Sequence, residues 1–327
     1  MAEPILEIRN LKTQFFFEEG IVTALDGVTL IIQKGESVGL VGETGCGKSM
    51  TALSALRLVP HPGRIVRGSI KFKGKELMNL SVEAMRGIRG AQISMIFQDP
   101  TSSLDPVFNV KSQLGEVISL HQGIYDSKEL DKRILKVLRM VKIAAPESVM
   151  NQYPHELSGG MRQRVMIALA LSCSPSLLIA DEPTTALDVT IQAQVLKLIK
   201  DLVSTTGCSL LLITHNLGIV AETCDRICVM YAGRIVEEAP TLEMFENPKH
   251  PYSVGLLAAF PKMGEHVDEL TAIRGMVPSL MNLPGGCAFS DRCDHASPVC
   301  KETRPGMIEV NSNHWVACHL YQQQGGA

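Results

Sequence analysis

The sequence predicts an α/β fold on a mainly parallel sheet, and three observations carry the prediction. First, Gly42-Glu43-Thr44-Gly45-Cys46-Gly47-Lys48-Ser49 fits G-x-x-x-x-G-K-[ST]. It lies between an apolar run, Ser37 to Val41, that reads as a strand and a stretch, Met50 to Leu58, that reads as a helix. Second, strand-like and helix-like segments alternate along much of the chain, as parallel strands covered by helices require. Third, Leu177-Leu178-Ile179-Ala180 reads as a buried strand that runs straight into two acids, Asp181 and Glu182.

In chain order, residues 5 to about 36 alternate apolar and polar with turn residues between them, which predicts antiparallel strands. Gly68 to Gly74 reads as a short strand and Gln92 to Phe97 as a buried one. From Gln98 to about Pro154 the strands stop. Val110 to His121 and Ser127 to Ile143 have helical spacing, so a helical insertion divides the sheet. Met161 to Cys173 predicts a helix. Val189 to Thr206 carries Ile191, Val195, Leu198, Ile199 and Leu202 on one face and is closed by Gly207. Ser209 to Thr214 and Arg226 to Met230 are further buried strands. After about residue 248 the texture shifts to Pro, Gly, Cys and His.

The chain has 327 residues, 45% hydrophobic and 20% charged, with a net charge of -3. That is a globular composition with no basic block and only 5% aromatic residues, which argues against nucleic acid as a partner. No apolar run approaches the roughly 18 residues a membrane span needs. Met1-Ala2-Glu3-Pro4 is acidic and lacks the apolar region of a signal peptide. Nine cysteines, an odd number, fit reduced thiols better than a disulfide framework.

The glycine-rich stretch has a specific physical use. Its backbone N–H groups wrap phosphates at the positive end of a helix, and its glycines allow close approach and positive φ. Lys48 would reach the β and γ phosphates and Ser49 would ligate Mg²⁺. Asp181, at a strand end, would hold Mg²⁺ through water, and Glu182 is placed to polarise an attacking water. Leu157-Ser158-Gly159-Gly160-Met161 opens the next helix and forms a second anion site. Cys46, beside a helix N-terminus, is expected to have a lowered pKa. Its simpler reading is a small, tolerated loop residue.

This set resembles the ATP-binding cassette family, with its P-loop NTPase (RecA-like) fold. The resemblance covers roughly residues 5 to 250: the P-loop at Gly42–Ser49 with Met50 following, Gln98 at the head of the helical insertion, an LSGGQ-like signature, the acid pair, a D-loop at Ala186-Leu187-Asp188, and a switch histidine, His215. Met161 stands where the signature usually has Gln. The resemblance implies residues 1–250 as the nucleotide-binding domain, with an antiparallel β-subdomain and a helical signature subdomain over about 98–164. It also implies a head-to-tail dimer with ATP between one chain's P-loop and Ser158, Gly159 and Gly160 of the other, with Asp188 close by. His215 would hold the γ-phosphate or the water, and Gln98 would sense Mg²⁺ and the water. An aromatic residue should stack on adenine. Of Phe15, Phe16 and Phe17 we choose Phe15, which shares a strand face with Leu11 and Thr13.

Met95-Ile96-Phe97-Gln98-Asp99-Pro100, the run Asp181 to Gln194, His250-Pro251-Tyr252 and Gly286-Cys287-Ala288-Phe289…Arg292-Cys293 resemble more narrowly the oligopeptide/dipeptide importer ATPases, of D type by Thr184-Thr185. This implies an ATPase at the cytoplasmic face of the membrane that energises peptide uptake. Its partners would be a homologous F-type ATPase or a second copy, two membrane permeases and an extracytoplasmic peptide-binding protein. Nickel or oligosaccharide import is the alternative cargo, and a soluble ATPase outside transport is a third reading.

Residues 251–327 are expected to form a C-terminal extension. There Cys287, Cys293, Cys300 and Cys318 give C-x5-C-x6-C-x17-C, four thiols in 32 residues. Wide spacings without C-x2-C knuckles suit a [4Fe–4S] cluster better than a zinc ribbon. His295 and His319 keep Zn²⁺ open as the alternative, and free thiols are a third.

Overall fold

A computed structural model describes residues 3–99, 103–184, 188–259 and 273–322. The chain divides into two compact units. One comprises Met1–Ile5, Gln33–Glu36 and Asn79–Leu212, and the other Leu6–Ile32, Ser37–Met78 and Ile213–Ala327.

The second unit begins with strands β1 (Pro4–Phe17) and β2 (Gly20–Gln33), whose alternating apolar residues bury Leu6, Ile8, Leu25, Leu30 and Ile32 completely. Each such side chain removed from water contributes about 1.5–3 kcal/mol. β3 (Ser37–Val41) is buried at every residue and leads through the glycine-rich loop into α1 (Lys48–Ala55). β4 (Gly63–Phe72) and β5 (Lys75–Glu76) complete a four-stranded sheet in the order β2-β1-β4-β5. The β1–β4 and β4–β5 pairs are antiparallel.

The first unit contains α2 (Val82–Arg86), β6 (Ile93–Ile96), α3 (Val110–Gln122), α4 (Ser127–Met140) and α5 (Pro146–Val149). These are followed by α6 (Gly159–Leu171), β7 (Leu177–Asp181), α7 (Val189–Thr206) and β8 (Ser209–Ile213). β6 and β7 are parallel, in register from Ile93↔Leu177 to Ile96↔Ala180, and both are buried throughout. Side-chain caps start the helices: Asn109 for α3, Asp126 for α4, Ser158 for α6 and Asp188 for α7. Gly207, at φ 66°, ends α7 in the left-handed conformation that glycine takes without strain.

The second unit resumes with α8 (Leu217–Thr223), β9 (Arg226–Tyr231), β10 (Arg234–Pro240), α9 (Thr241–Glu246) and α10 (Pro251–Ala258). Last come α11 (Pro298–Glu302), β11 (Ile308–Asn311), β12 (His314–Val316) and α12 (His319–Gln322). β3 pairs with β9 in parallel. β9–β10, β10–β12 and β11–β12 are antiparallel. The sheet is therefore mixed here rather than mainly parallel. The reason is local: Ala232 and Gly233, both at positive φ, join β9 to β10, and two residues can connect only antiparallel neighbours. The C-terminal stretch adds two strands beside β10, which its Pro, Gly and Cys texture conceals. Among the described residues no helix is long and apolar enough to cross a membrane.

Candidate functional site

The phosphate loop rises from the end of β3. Gly42 has φ 150°, and a Cβ there would stand 2.2 Å from the Met230 carbonyl oxygen. Gly47, at φ 110°, would meet the Ala24 carbonyl oxygen at 2.8 Å. Backbone from two other strands therefore presses on the loop, and only glycine fits. Lys48 is buried. Its ammonium donates to the carbonyl oxygens of Gly42 at 2.8 Å and Glu43 at 2.9 Å. Thr44 and Gly45 are exposed at the loop tip, while Ser49 and Met50 in the first turn of α1 are half-buried.

Cys46 departs from expectation. It is fully buried, and its thiol is pushed up, not down, because burial outweighs the nearby Lys48 charge. The helix N-terminus would favour a thiolate only if the sulfur were hydrated.

Glu43 is held at both its backbone and its carboxylate. Tyr252 Oη accepts its backbone N–H at 2.8 Å. Arg292 donates to both carboxylate oxygens, at 2.7 and 2.9 Å. The Arg292 guanidinium also donates to Tyr231 Oη at 3.3 Å and, through Nε, to the Arg274 carbonyl oxygen at 2.8 Å. It lies 5.7 Å from the Tyr231 and Phe289 ring centroids. Tyr231, Tyr252 and Phe289 form one aromatic cluster, with centroids 4.7 to 5.4 Å apart. In the sequence, His250-Pro251-Tyr252 and Phe289…Arg292 stand out only by family resemblance. Nothing in their spacing announces that they meet the phosphate loop.

Phe15 is half-buried on β1, its ring stacked with that of Phe17 at 6.1 Å. Two residues earlier, Thr13 Oγ1 and Ser54 Oγ share a hydrogen bond of 3.0 Å, which fastens this strand to α1. His215 is exposed just beyond β8.

In the other unit, Asp181 is buried at the end of β7 and Glu182 follows at φ 44°. The Gln98 side-chain amide, beyond the end of β6, donates to the Glu182 carboxylate at 3.1 Å. Gln163 of α6 is buried and donates to the Pro183 carbonyl oxygen, bracing the turn after the acids. Ser158 caps α6 by accepting the Met161 N–H at 3.3 Å, and Asp188 caps α7 by accepting the Ile191 N–H at 2.9 Å. Ser158, Gly159, Gly160, Met161, Asp188 and Ile191 line one open recess. A Cβ on Gly160 would come within 3.2 Å of Ile191, so glycine keeps that recess open. Thr185, Ala186 and Leu187 lie outside the described residues.

The four C-terminal cysteines line a common recess together with His295 and His319. The Cys287 N–H donates to the Cys300 carbonyl oxygen at 2.7 Å, an approach that any Cβ on Gly286 would block. Burial pushes the Cys287 and Cys293 thiols up and raises Cys318 to about 11. Among the described residues no three His, Cys, Asp or Glu side chains converge on a single metal-ion position.

A phosphate loop between a buried parallel strand and a helix defines a P-loop nucleotide-binding protein. A family model described as ABC transporter matches residues 25–185, and one described as Oligopeptide/dipeptide transporter, C-terminal region, matches 236–300. A third, AAA domain, putative AbiEii toxin, Type IV TA system, matches 150–221, overlapping the first. The oligopeptide transport ATP-binding protein AppD of Bacillus subtilis is 49% identical, over 98% of each chain. The dipeptide transport ATP-binding protein DppD of the same organism is 46% identical, over 98% of this chain and 96% of that one. Among solved structures, the dimeric ATP-binding cassette MJ0796 bound to ADP and Pi superposes with a TM-score of 0.65 at 27% identity, covering 72% of this chain and 98% of that one. The chain thus belongs to the ATP-binding proteins of ABC transporters, of the oligopeptide/dipeptide type, and is an ATPase.

Proposed function

We propose that this chain is the ATP-hydrolysing subunit of an importer of di- or oligopeptides, working at the cytoplasmic face of a membrane. The cargo follows from the oligopeptide and dipeptide transport named for its relatives. The hydrogen bond from Gln98 to Glu182 carries the enzymatic part. It joins residues 84 apart in sequence and orients a carboxylate to take a proton from water.

In this reading Glu182 is the general base, His215 holds the γ-phosphate or the water, and Lys48 with the loop N–H groups stabilises the charge that develops during in-line attack. Ser49, Gln98 and Asp181 would hold Mg²⁺, which when bound neutralises charge on the β and γ oxygens. Phe15 stacks on adenine. The partner is a homologous F-type ATPase or a second copy, arranged head to tail, whose Ser158, Gly159, Gly160 and Asp188 close on the ATP held by this chain's P-loop. Two permeases dock on the helical segment that follows Gln98, and an extracytoplasmic binding protein supplies the peptide. Residues 1–250 form the cassette, with its β- and helical subdomains, and 251–327 the extension.

Cys287, Cys293, Cys300 and Cys318 would hold a [4Fe–4S] cluster as a structural staple, with Zn²⁺ as the alternative. What supports this reading is that the four cysteines line one recess, and that their wide spacing lacks C-x2-C knuckles.

Deleting the gene should abolish uptake of a labelled tripeptide, and wild-type protein should restore it. Glu182→Gln should retain ATP binding but restore less than about a hundredth of the uptake, the size of a lost general base. Normal uptake in the deletion strain would reject the cargo. Normal uptake with Glu182→Gln would reject the base.

A further inference from the structure

We propose that Arg292, in the C-terminal extension, is a positioning residue for the phosphate loop, so that the extension is a working part of the nucleotide site. The proposal rests on Gly42–Ser49 being the loop that binds ATP.

Three constraints meet on Glu43. Its carboxylate is gripped at both oxygens by Arg292, its N–H is taken by Tyr252, and its carbonyl oxygen receives the Lys48 ammonium. A phosphate loop binds by presenting N–H groups in a fixed curve, so its affinity depends on the loop already having that curve. Glu43 lies on the rising limb, between Gly42, where a Cβ would stand 2.2 Å from the Met230 carbonyl oxygen, and the exposed tip at Thr44 and Gly45. Fixing Glu43 fixes the limb and one of the two carbonyls that hold Lys48.

Arg292 is built to impose that position. Its side chain is only 5% exposed, and all three of its side-chain nitrogens donate hydrogen bonds. The guanidinium is wedged against Tyr231 and Phe289. A planar fork matched to a carboxylate gives direction as well as charge, which a lysine would not. The turn Ser290–Arg292 that presents it follows directly on Phe289 of the aromatic cluster. The pair joins residues 249 apart, so its evident use is to bring the extension to bear on the loop.

The test is a double-mutant cycle on the purified full-length chain, with binding of a fluorescent ATP analogue and steady-state ATPase as readouts. Arg292→Met keeps the apolar stem and removes the fork. It should weaken nucleotide binding and raise KM about tenfold, with kcat falling less than about threefold. Glu43→Gln should do the same. The double variant should be no worse than either single one. Arg292→Lys should restore the melting temperature but not the full affinity, which separates positioning from general stability. Wild-type affinity in Arg292→Met, or losses that multiply in the double variant, would overturn the proposal. Lys48→Ala serves as a separate control: if it binds nucleotide as the wild type does, the phosphate-loop reading itself fails, whatever Arg292 does.

Discussion

At the scale of single residues, burial decides chemistry that sequence position leaves open. Cys46 sits where a helix N-terminus would activate a thiol, yet its sulfur is sealed beneath the loop and its pKa raised. A thiol held in its neutral form behind other atoms is a poor nucleophile. Iodoacetamide at neutral pH should therefore leave Cys46 unmodified in the native protein, while half-buried Cys173 reacts. Peptide mapping after labelling reads this directly, and complete labelling of Cys46 without unfolding would refute it. Glu182 gives the converse case. Its position after an apolar strand suggests a base, and the hydrogen bond it accepts from the Gln98 amide is a contact that sequence could not show.

At the scale of elements, what is legible in the sequence is what local periodicity encodes. The amphipathic face of α7, its bounds Val189–Thr206 and its closing Gly207 can all be read directly. So can β3, β7 and the glycine-rich turn, because burial and phosphate-loop geometry each constrain a few neighbouring residues. What cannot be read depends on partners far along the chain. β12 pairs with β10 through Glu237↔Val316 and Glu238↔Trp315. Behind that register lies a buried contact: His314 Nε2 stands 2.7 Å from Glu237, and both side chains are wholly inaccessible. Glu237 also accepts the N–H groups of Lys249 and His250, at 2.6 and 2.8 Å. Sequence shows only a glutamate in a strand and a histidine near a tryptophan. Removing one member of such a buried pair leaves the other uncompensated, at a cost of about 3–5 kcal/mol. The two backbone donors that remain on Glu237 place His314→Ala at about 3 kcal/mol. Equilibrium urea unfolding should show that loss with an unchanged m-value. A loss under about 1 kcal/mol, the worth of an ordinary hydrogen bond, would mean that the strand is held by its backbone ladder alone.

At the scale of the whole molecule, these buried groups set how stability responds to acid. His250 is buried, and its Nδ1 accepts the Tyr252 N–H at 3.0 Å, which fixes a neutral ring. Burial lowers its pKa from its ordinary 6.5 to about 4, against a smaller opposing pull from the Glu237 carboxylate. The unfolded chain therefore binds one more proton than the native chain between pH 6.5 and 4, and stability must fall as pH drops through that window. The loss amounts to about 3 kcal/mol, since each tenfold change in proton affinity is worth about 1.4 kcal/mol. Asp26, paired with Arg234, Lys12 and Arg304, and Glu237 are carboxylates held below their ordinary range. Their contribution is present above the ordinary carboxylate pKa and is lost only as pH falls below it, toward their native values. The acid limb should accordingly have two parts, a shallow one-proton slope beginning near pH 6.5 and a steeper one below about pH 4.5. His250→Asn keeps an N-cap acceptor for α10 and removes the titrating ring. Unfolding free energies measured from about pH 7.5 to about pH 5 should then be nearly flat in the variant and sloped in the wild type. An unchanged slope would transfer the upper part of the acid response to another group.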